Sequence, residues 1–401
     1  MIKKLAASIM VLTVALAVAA DPEAGPRSAT VPIALDHCRM TVEVVFTRTD
    51  GSPRPARAWV DSGGMAVVAA EALARELGIG PAAMPANAGQ TLATTTPVPA
   101  MSLGGIPLAV EGMNLSVRRG RFAIPGVEAE CVLPARCLRR LHVVFDYPAH
   151  RLTVALAGVL APVGTAVPCR VNPETGLFMV EATLDGEKVA LGIDNGSAGT
   201  WLSDKLSAAW LARHADWPHA VGAAGSTNFF GFPFETQGAL LCLPALAIGS
   251  LPVARELAVL GLDQRLFDWY SQKSAGPVVG FLGAEFIARF RLEVDFPGQM
   301  TWWQPGPVPA LRDLDIVGLT LRPENDGSFS VAGIVQRDGR PVVPGVQAGD
   351  RLLRVDGLDV AGATMGMVIN ALRGKPGARR VLLLERSGKP TTVKAQVVRL
   401  P

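Results

Sequence analysis

This chain of 401 residues lacks most features that announce a metal, a cofactor or a nucleic acid. Its five cysteines, Cys38, Cys131, Cys137, Cys169 and Cys242, form no C-x-x-C pair, and its five histidines show no ligand spacing. No structural metal site and no cofactor are therefore expected. Charge is scarce as well. Asp, Glu, Lys and Arg make up 18% of the residues, and the formal net charge is only +3. That is no electrostatic footprint for nucleic acid, and Arg118-Arg119 and Arg139-Arg140 read as solvated faces. Beyond the N-terminal segment no stretch is long and apolar enough to span a bilayer.

What is present is apolar and rich in turns. Hydrophobic residues are 49% of the chain, which argues against disorder and for two or three real cores. With 42 Gly, 31 Pro and few long periodic segments, strands and turns are expected to dominate. Lys3 and Lys4 precede the apolar run Leu5–Val18 and the small-residue stretch Ala17-Val18-Ala19. This is the pattern of a secretory signal over residues 1–20. A periplasmic or secreted location follows as an expectation. In an oxidising compartment some cysteines would pair, the odd count leaving at least one free.

The most telling stretch is Ala58–Met65, AWVDSGGM. Apolar strand residues run into Asp61, and Ser62, Gly63 and Gly64 follow. A carboxylate at a buried strand end is costly unless hydrogen bonds hold it, and a Gly pair lets amide N–H groups approach. Alone this is an ordinary turn. A second copy, Leu191-Gly192-Ile193-Asp194-Asn195-Gly196-Ser197, changes that. In the first copy Ala66–Leu77 reads as a short helix after the Asp turn, stopped by Gly78. In the second, Asp204–Leu211 takes that place, with Ser203 as N-cap. Strands ending in Asp146 and Asp295 close the two units. An ordered internal duplication is implied.

Each copy resembles a retropepsin-like aspartic protease domain. The resemblance rests on Val60-Asp61-Ser62-Gly63, on Ile193-Asp194-Asn195-Gly196-Ser197, and on Phe281-Leu282-Gly283 with Ala284–Ile287 behind it. The C-terminal stretch Ala348-Gly349-Asp350-Arg351-Leu352-Leu353, followed by Val355-Asp356-Gly357, resembles a bacterial-type PDZ domain. The resemblance implies a mostly β fold: two retropepsin-like acid-protease β-barrel halves (21–160 and 161–306) in pseudo-twofold arrangement, plus an α+β PDZ domain (307–401). It implies an exported aspartic endopeptidase in which Asp61 and Asp194 share a proton and activate water. Ser62, Gly63, Asn195, Gly196 and Ser197 would support the catalytic loops. Phe229, Phe230 and Phe232 would form a flap or subsite wall. The PDZ domain would take a peptide or protein C-terminus along Phe329, Ser330, Val331, Ala332 and Gly333.

Three positions depart from the family pattern. Asn195 stands where a hydroxyl would brace the two loops, Gly64 where a hydroxyl would bond Asp61, and Pro134 where Gly would follow Val132-Leu133. A peptide-binding protein on a degenerate protease fold, or a homodimer using Asp61 from each chain, remain open beside the protease reading.

Overall fold

In a computed structural model of the chain, the described residues are 25–79, 92–118, 129–226, 233–251, 254–307, 312–324 and 326–401. They are mostly β. The first hairpin shows why. In Arg39–Thr47 the buried residues Val42, Val44 and Phe46 alternate with others, and Ala56, Ala58 and Val60 do the same in Pro53–Asp61. Period-two patterning puts one face of each strand into the core. The strands pair antiparallel from Thr41 beside Trp59 to Thr47 beside Pro53.

The strand that ends in Asp61 then gains a parallel neighbour. Cys131–Pro134 runs alongside it, placing Leu133 beside Val60 and Pro134 beside Asp61. Between them in sequence, Val67–Ala70 pairs parallel with Asn114–Arg118 and meets Cys131 antiparallel at Ala69. The same pairing recurs further along. Glu187–Asp194 pairs antiparallel with Phe178–Leu184 and parallel with Gly280–Gly283, so that Gly283 lies beside Asp194. Thr200–Ser203 pairs parallel with Ala254–Leu262 and antiparallel with Gly280–Gly283.

The helix expected over Ala66–Leu77 is shorter than the Ala-rich pattern suggests, spanning Glu71–Glu76. Val67–Ala70 is instead a strand with neighbours on both sides, and Val67 and Ala69 are fully buried. Ladder pairing in the core overrides the helix propensity of alanine. The second helix, Asp204–Arg213, begins as expected, with the Ser203 hydroxyl accepting from Leu206 N.

The two Asp-bearing regions are joined through one antiparallel seam. Leu141–Asp146 pairs with Phe290–Asp295, and Val144 faces Glu293. Each is the fourth residue of its strand, so a local twofold passes between them. Arg151–Leu156 with Ser28–Pro32 flanks the seam on one side, and Met300–Pro305 with Thr165–Val171 on the other. The Asp146 carboxylate accepts from Ala149 N and the Asp295 carboxylate from Gly298 N, so both serve turns. One apolar cluster runs from Ile33 to Trp303 through both regions.

The C-terminal residues add a further sheet, Leu319–Pro323, Phe329–Ile334, Arg351–Val355, Arg379–Arg386 and Lys389–Gln396, with the helix Met365–Leu372 against it. Asp350 is buried and fixed by two contacts of 2.7 Å from Arg386. This unit is docked rather than tethered. Asp36 accepts from Gly366 N at 3.0 Å and from the Thr364 hydroxyl. Asp313 holds both His37, at 3.0 Å, and Arg373, at 2.8 Å. A second apolar cluster is shared, joining Trp201, Leu240, Leu260 and Phe281 to Ile316, Met365 and Ile369.

The cysteine pairing expected for an oxidising compartment does not occur: all five thiols are free. Among the described residues no helix is long and apolar enough to cross a membrane.

Candidate active site

The turns that follow the two Asp-bearing strands interlock. Ser62 and Asn195 are almost wholly buried and brace one another. The Ser62 hydroxyl donates to Ile193 O at 2.9 Å and accepts from Asn195 N at 3.0 Å. The Asn195 side-chain oxygen accepts from Ser62 N at 2.8 Å. Ser62 and Asn195 alone thus place three hydrogen bonds across the loops. Asn195 retains the acceptor that a hydroxyl would offer. What it changes is the donor. Its Nδ2 is buried facing the Tyr147 hydroxyl, which is buried beside the Asn195 side chain, and neither has another hydrogen-bond partner.

The glycines cross in the same way. A Cβ on Gly63 would fall 2.4 Å from Asp194 Cγ, and one on Gly196 would fall 2.4 Å from Asp61 Oδ1. Only glycine permits each loop to touch the opposite carboxylate. Gly63 N–H lies between the two acids, 3.2 Å from Asp61 Oδ1 and 3.2 Å from Asp194 Oδ1. Asp194 Oδ1 also accepts from Gly196 N at 2.9 Å and Ser197 N at 3.2 Å.

These contacts separate the two acids. Burial pushes Asp61 well above the ordinary carboxylate range, and the charge of Asp194 pushes it further. Burial raises Asp194 as well, but three backbone N–H groups and a hydrogen bond from Asp61 favour its ionised form. Two carboxylates that share the Gly63 N–H cannot both ionise cheaply, so one proton belongs to the pair.

Two of the three departures from the family pattern have local explanations. Gly64 is required, because a Cβ there would lie 2.5 Å from Asp61 Oδ2. Ser197 supports its loop in two ways: its hydroxyl donates to Gly199 O at 2.8 Å, and its backbone N–H serves the Asp194 carboxylate. Pro134 is matched by a second difference. Gly283 N donates to the Thr200 hydroxyl at 3.2 Å, whereas Val67, which opens the corresponding first-copy strand, has no hydroxyl. Pro134 has no N–H to satisfy.

The peptide site expected along Phe329–Gly333 is not an open edge. That strand pairs with Leu319–Pro323 on one side and with Arg351–Val355 on the other at Phe329 and Ser330. Val331 N donates to Asp350 O and Gly349 N to Val331 O, and Gly333 abuts Thr236. Ala332 lies within the same strand. Backbone groups already paired in a ladder cannot accept an added strand. The expected flap residues Phe229, Phe230 and Phe232 lie outside the described residues.

Three residues near the pair carried no motif in the sequence. The only two tyrosines of the chain are both here. Tyr147 faces Asn195, and Tyr270, on the helix Gln264–Ser271, packs at a tilt against Phe281, ring centroids 4.6 Å apart, within the electrostatic reach of both acids. Arg39 is 2% exposed and lies in the field of Asp194 and Glu235. The scarcity of tyrosine was the one available signal for Tyr147 and Tyr270, and Arg39 carried none. A cavity of about 80 Å³ begins at Ala198–Trp201, just after the Asp194 turn, and is closed by Arg39, Ile316, Met365 and Ile369. Among the described residues no cluster of His, Cys, Asp and Glu is arranged to hold a metal ion. No family model matches this chain, and no curated protein matches it.

Proposed function

We propose that this chain is an exported aspartic endopeptidase, built from two retropepsin-like halves (21–160 and 161–306) and a C-terminal PDZ-like unit (307–401), with Asp61 and Asp194 as its catalytic pair. One observation carries the reading: two carboxylates at the ends of correspondingly paired strands both lie 3.2 Å from the Gly63 N–H, between mutually braced loops. The protonated acid, Asp61, polarises the scissile carbonyl. Asp194 takes a proton from water as its oxygen attacks the carbonyl carbon. The tetrahedral intermediate then collapses, the amide nitrogen takes a proton and the C–N bond breaks. Because one chain supplies both acids, no second copy is needed. The brace through Ser62 and Asn195 favours an active enzyme over a degenerate binding fold.

The test is cleavage of unfolded peptide substrates by the mature protein from acid to neutral pH. Asp61→Asn and Asp194→Asn should each lower kcat/KM by about 10³-fold, near the scale of general acid–base assistance. Equal background cleavage by wild type and both variants would sink the reading.

A further inference from the structure

Asp194 does not stand alone on its face of the sheet. Gly192 and Asp194 are two residues apart on one strand, so both point to the same side. Their parallel partners are Phe281 and Gly283. The Phe281 ring lies across Gly192, where a Cβ would fall 2.2 Å from Phe281 Cε1. Ile193 and Leu282 turn the other way, into the apolar cluster that runs through both Asp-bearing regions. Asp194 and the Phe281 ring therefore share one face, roughly 7 Å apart along the strand.

Tyr270 is laid on that ring. Its helix, Gln264–Ser271, is capped by the Asp263 carboxylate, which accepts from Arg265 N at 2.8 Å. Besides Phe281, Tyr270 meets Trp269 edge to face, ring centroids 4.9 Å apart. Trp269 is 45% exposed and Tyr270 is half-buried, so this pair borders solvent, whereas Tyr147 is 2% exposed. Burial and then the charges of Asp194 and Asp61 push the Tyr270 hydroxyl far above its ordinary range, so it keeps its proton beside them.

We propose that Tyr270 is a third catalytic residue, its hydroxyl donating a hydrogen bond, alongside Asp61, to the substrate oxygen on which negative charge develops. The assignment rests on the aspartic-protease reading. As the water oxygen bonds to the carbonyl carbon, the C=O π pair moves onto the carbonyl oxygen. A neutral phenol already fixed by two aromatic neighbours stabilises that charge without reorganising. Tyr270 transfers no proton, so its part is separate from that of the acids. Packing alone accounts for the ring, which Phe would supply equally well. It does not account for a hydroxyl within the field of both carboxylates.

Tyr270→Phe keeps the ring and removes only the hydroxyl. In cleavage of unfolded peptides by the mature protein, kcat should fall about 10²-fold while KM stays within about twofold of wild type. Two synthetic peptides read the same contact without turnover. Both carry the sequence of a cleaved substrate, one with a hydroxyethylene unit at the scissile position and the other with an ethylene unit. Wild type should favour the hydroxyl peptide, and Tyr270→Phe should lose at least about tenfold of that preference, the scale of one hydrogen bond. A merely structural role would lower affinity for both peptides alike, and that result, or an unchanged kcat, overturns the proposal. The two readings fail differently. If wild type cleaves no peptide, the protease reading fails and this role falls with it. If Asp61→Asn and Asp194→Asn abolish cleavage while Tyr270→Phe cleaves as wild type does, only the role of Tyr270 is lost.

Discussion

At the scale of single residues, the Asn195 amide is the point on which the paired loops turn. Its oxygen accepts the buried Ser62 N–H. Asn195→Leu removes that acceptor at similar volume and leaves a buried donor orphaned, which costs about 1–3 kcal/mol. Asn195→Thr keeps an acceptor and should lie within about 1 kcal/mol of wild type in urea unfolding. The Tyr147 hydroxyl enters as the neighbour of the Asn195 Nδ2 group. Tyr147→Phe should therefore be coupled to Asn195. Its cost in the wild-type background should shrink by about 0.5 kcal/mol or more when residue 195 is Thr, as a double-mutant cycle would show. Additive effects would mean that the two side chains act separately. Because burial and Asp194 push Asp61 upward, the basic limb of any pH–rate profile should lie above the ordinary carboxylate range, and it reports the pair rather than either acid.

At the scale of elements, the two parallel strands beside the acids obey different local rules. Gly283 has no room for a side chain: a Cβ would lie 2.1 Å from Gly199 O. Its N–H is also taken by Thr200. Gly283→Ala should therefore cost about 3 kcal/mol or more, by displacing the Asp194 turn. Pro134→Ala, where no N–H is called for, should change stability by about 1 kcal/mol or less. Chemical denaturation of the two variants compares the copies directly, and similar costs would contradict the asymmetry. The first-copy helix shows why such detail escapes a linear reading. Val67, Ala70, Leu73 and Leu77 fit one helical face, yet Val67–Ala70 is drawn into the sheet by partners that lie far along the chain.

At the scale of the whole molecule, the C-terminal unit is part of the second core rather than an appendage. Trp201, Leu260 and Phe281 share a cluster with Ile316, Met365 and Ile369. A chain ending near residue 306 exposes that face and should unfold at lower urea with greater tendency to associate, read by denaturation and light scattering. The docking seam also carries a titratable group. Burial, reinforced by the charge of Asp313, lifts Glu285 from 4.5 to about 8, while Arg289, Arg373 and Arg312 oppose the rise. The folded state thus keeps a proton that the unfolded chain releases. The stability this confers is complete below about pH 4.5 and is lost as pH rises toward 8. Glu285→Gln should flatten that decline, as urea midpoints between pH 4.5 and 8 would show; an unchanged slope would place the titration elsewhere.

The sequence by itself determined the mostly β character, the two Asp–small–Gly turns and the candidate pair Asp61 and Asp194. Alternating burial and the need for glycine beside a carboxylate are local demands that leave local marks. It also placed Ser203 at a helix start, for the same reason. Only the tertiary structure decided that Asn195 keeps the brace, that Gly64 has no space for a hydroxyl, and that Pro134 answers the missing hydroxyl at Val67. Each of these depends on what faces the residue from another strand. The peptide groove was misjudged on the same ground: Phe329–Gly333 reads as a strand in sequence, but whether a strand is interior or edge is set by its neighbours. The edge that remains, Leu319–Pro323, meets Gly225 and Ser226 only because the fold brings together segments nearly a hundred residues apart in the chain.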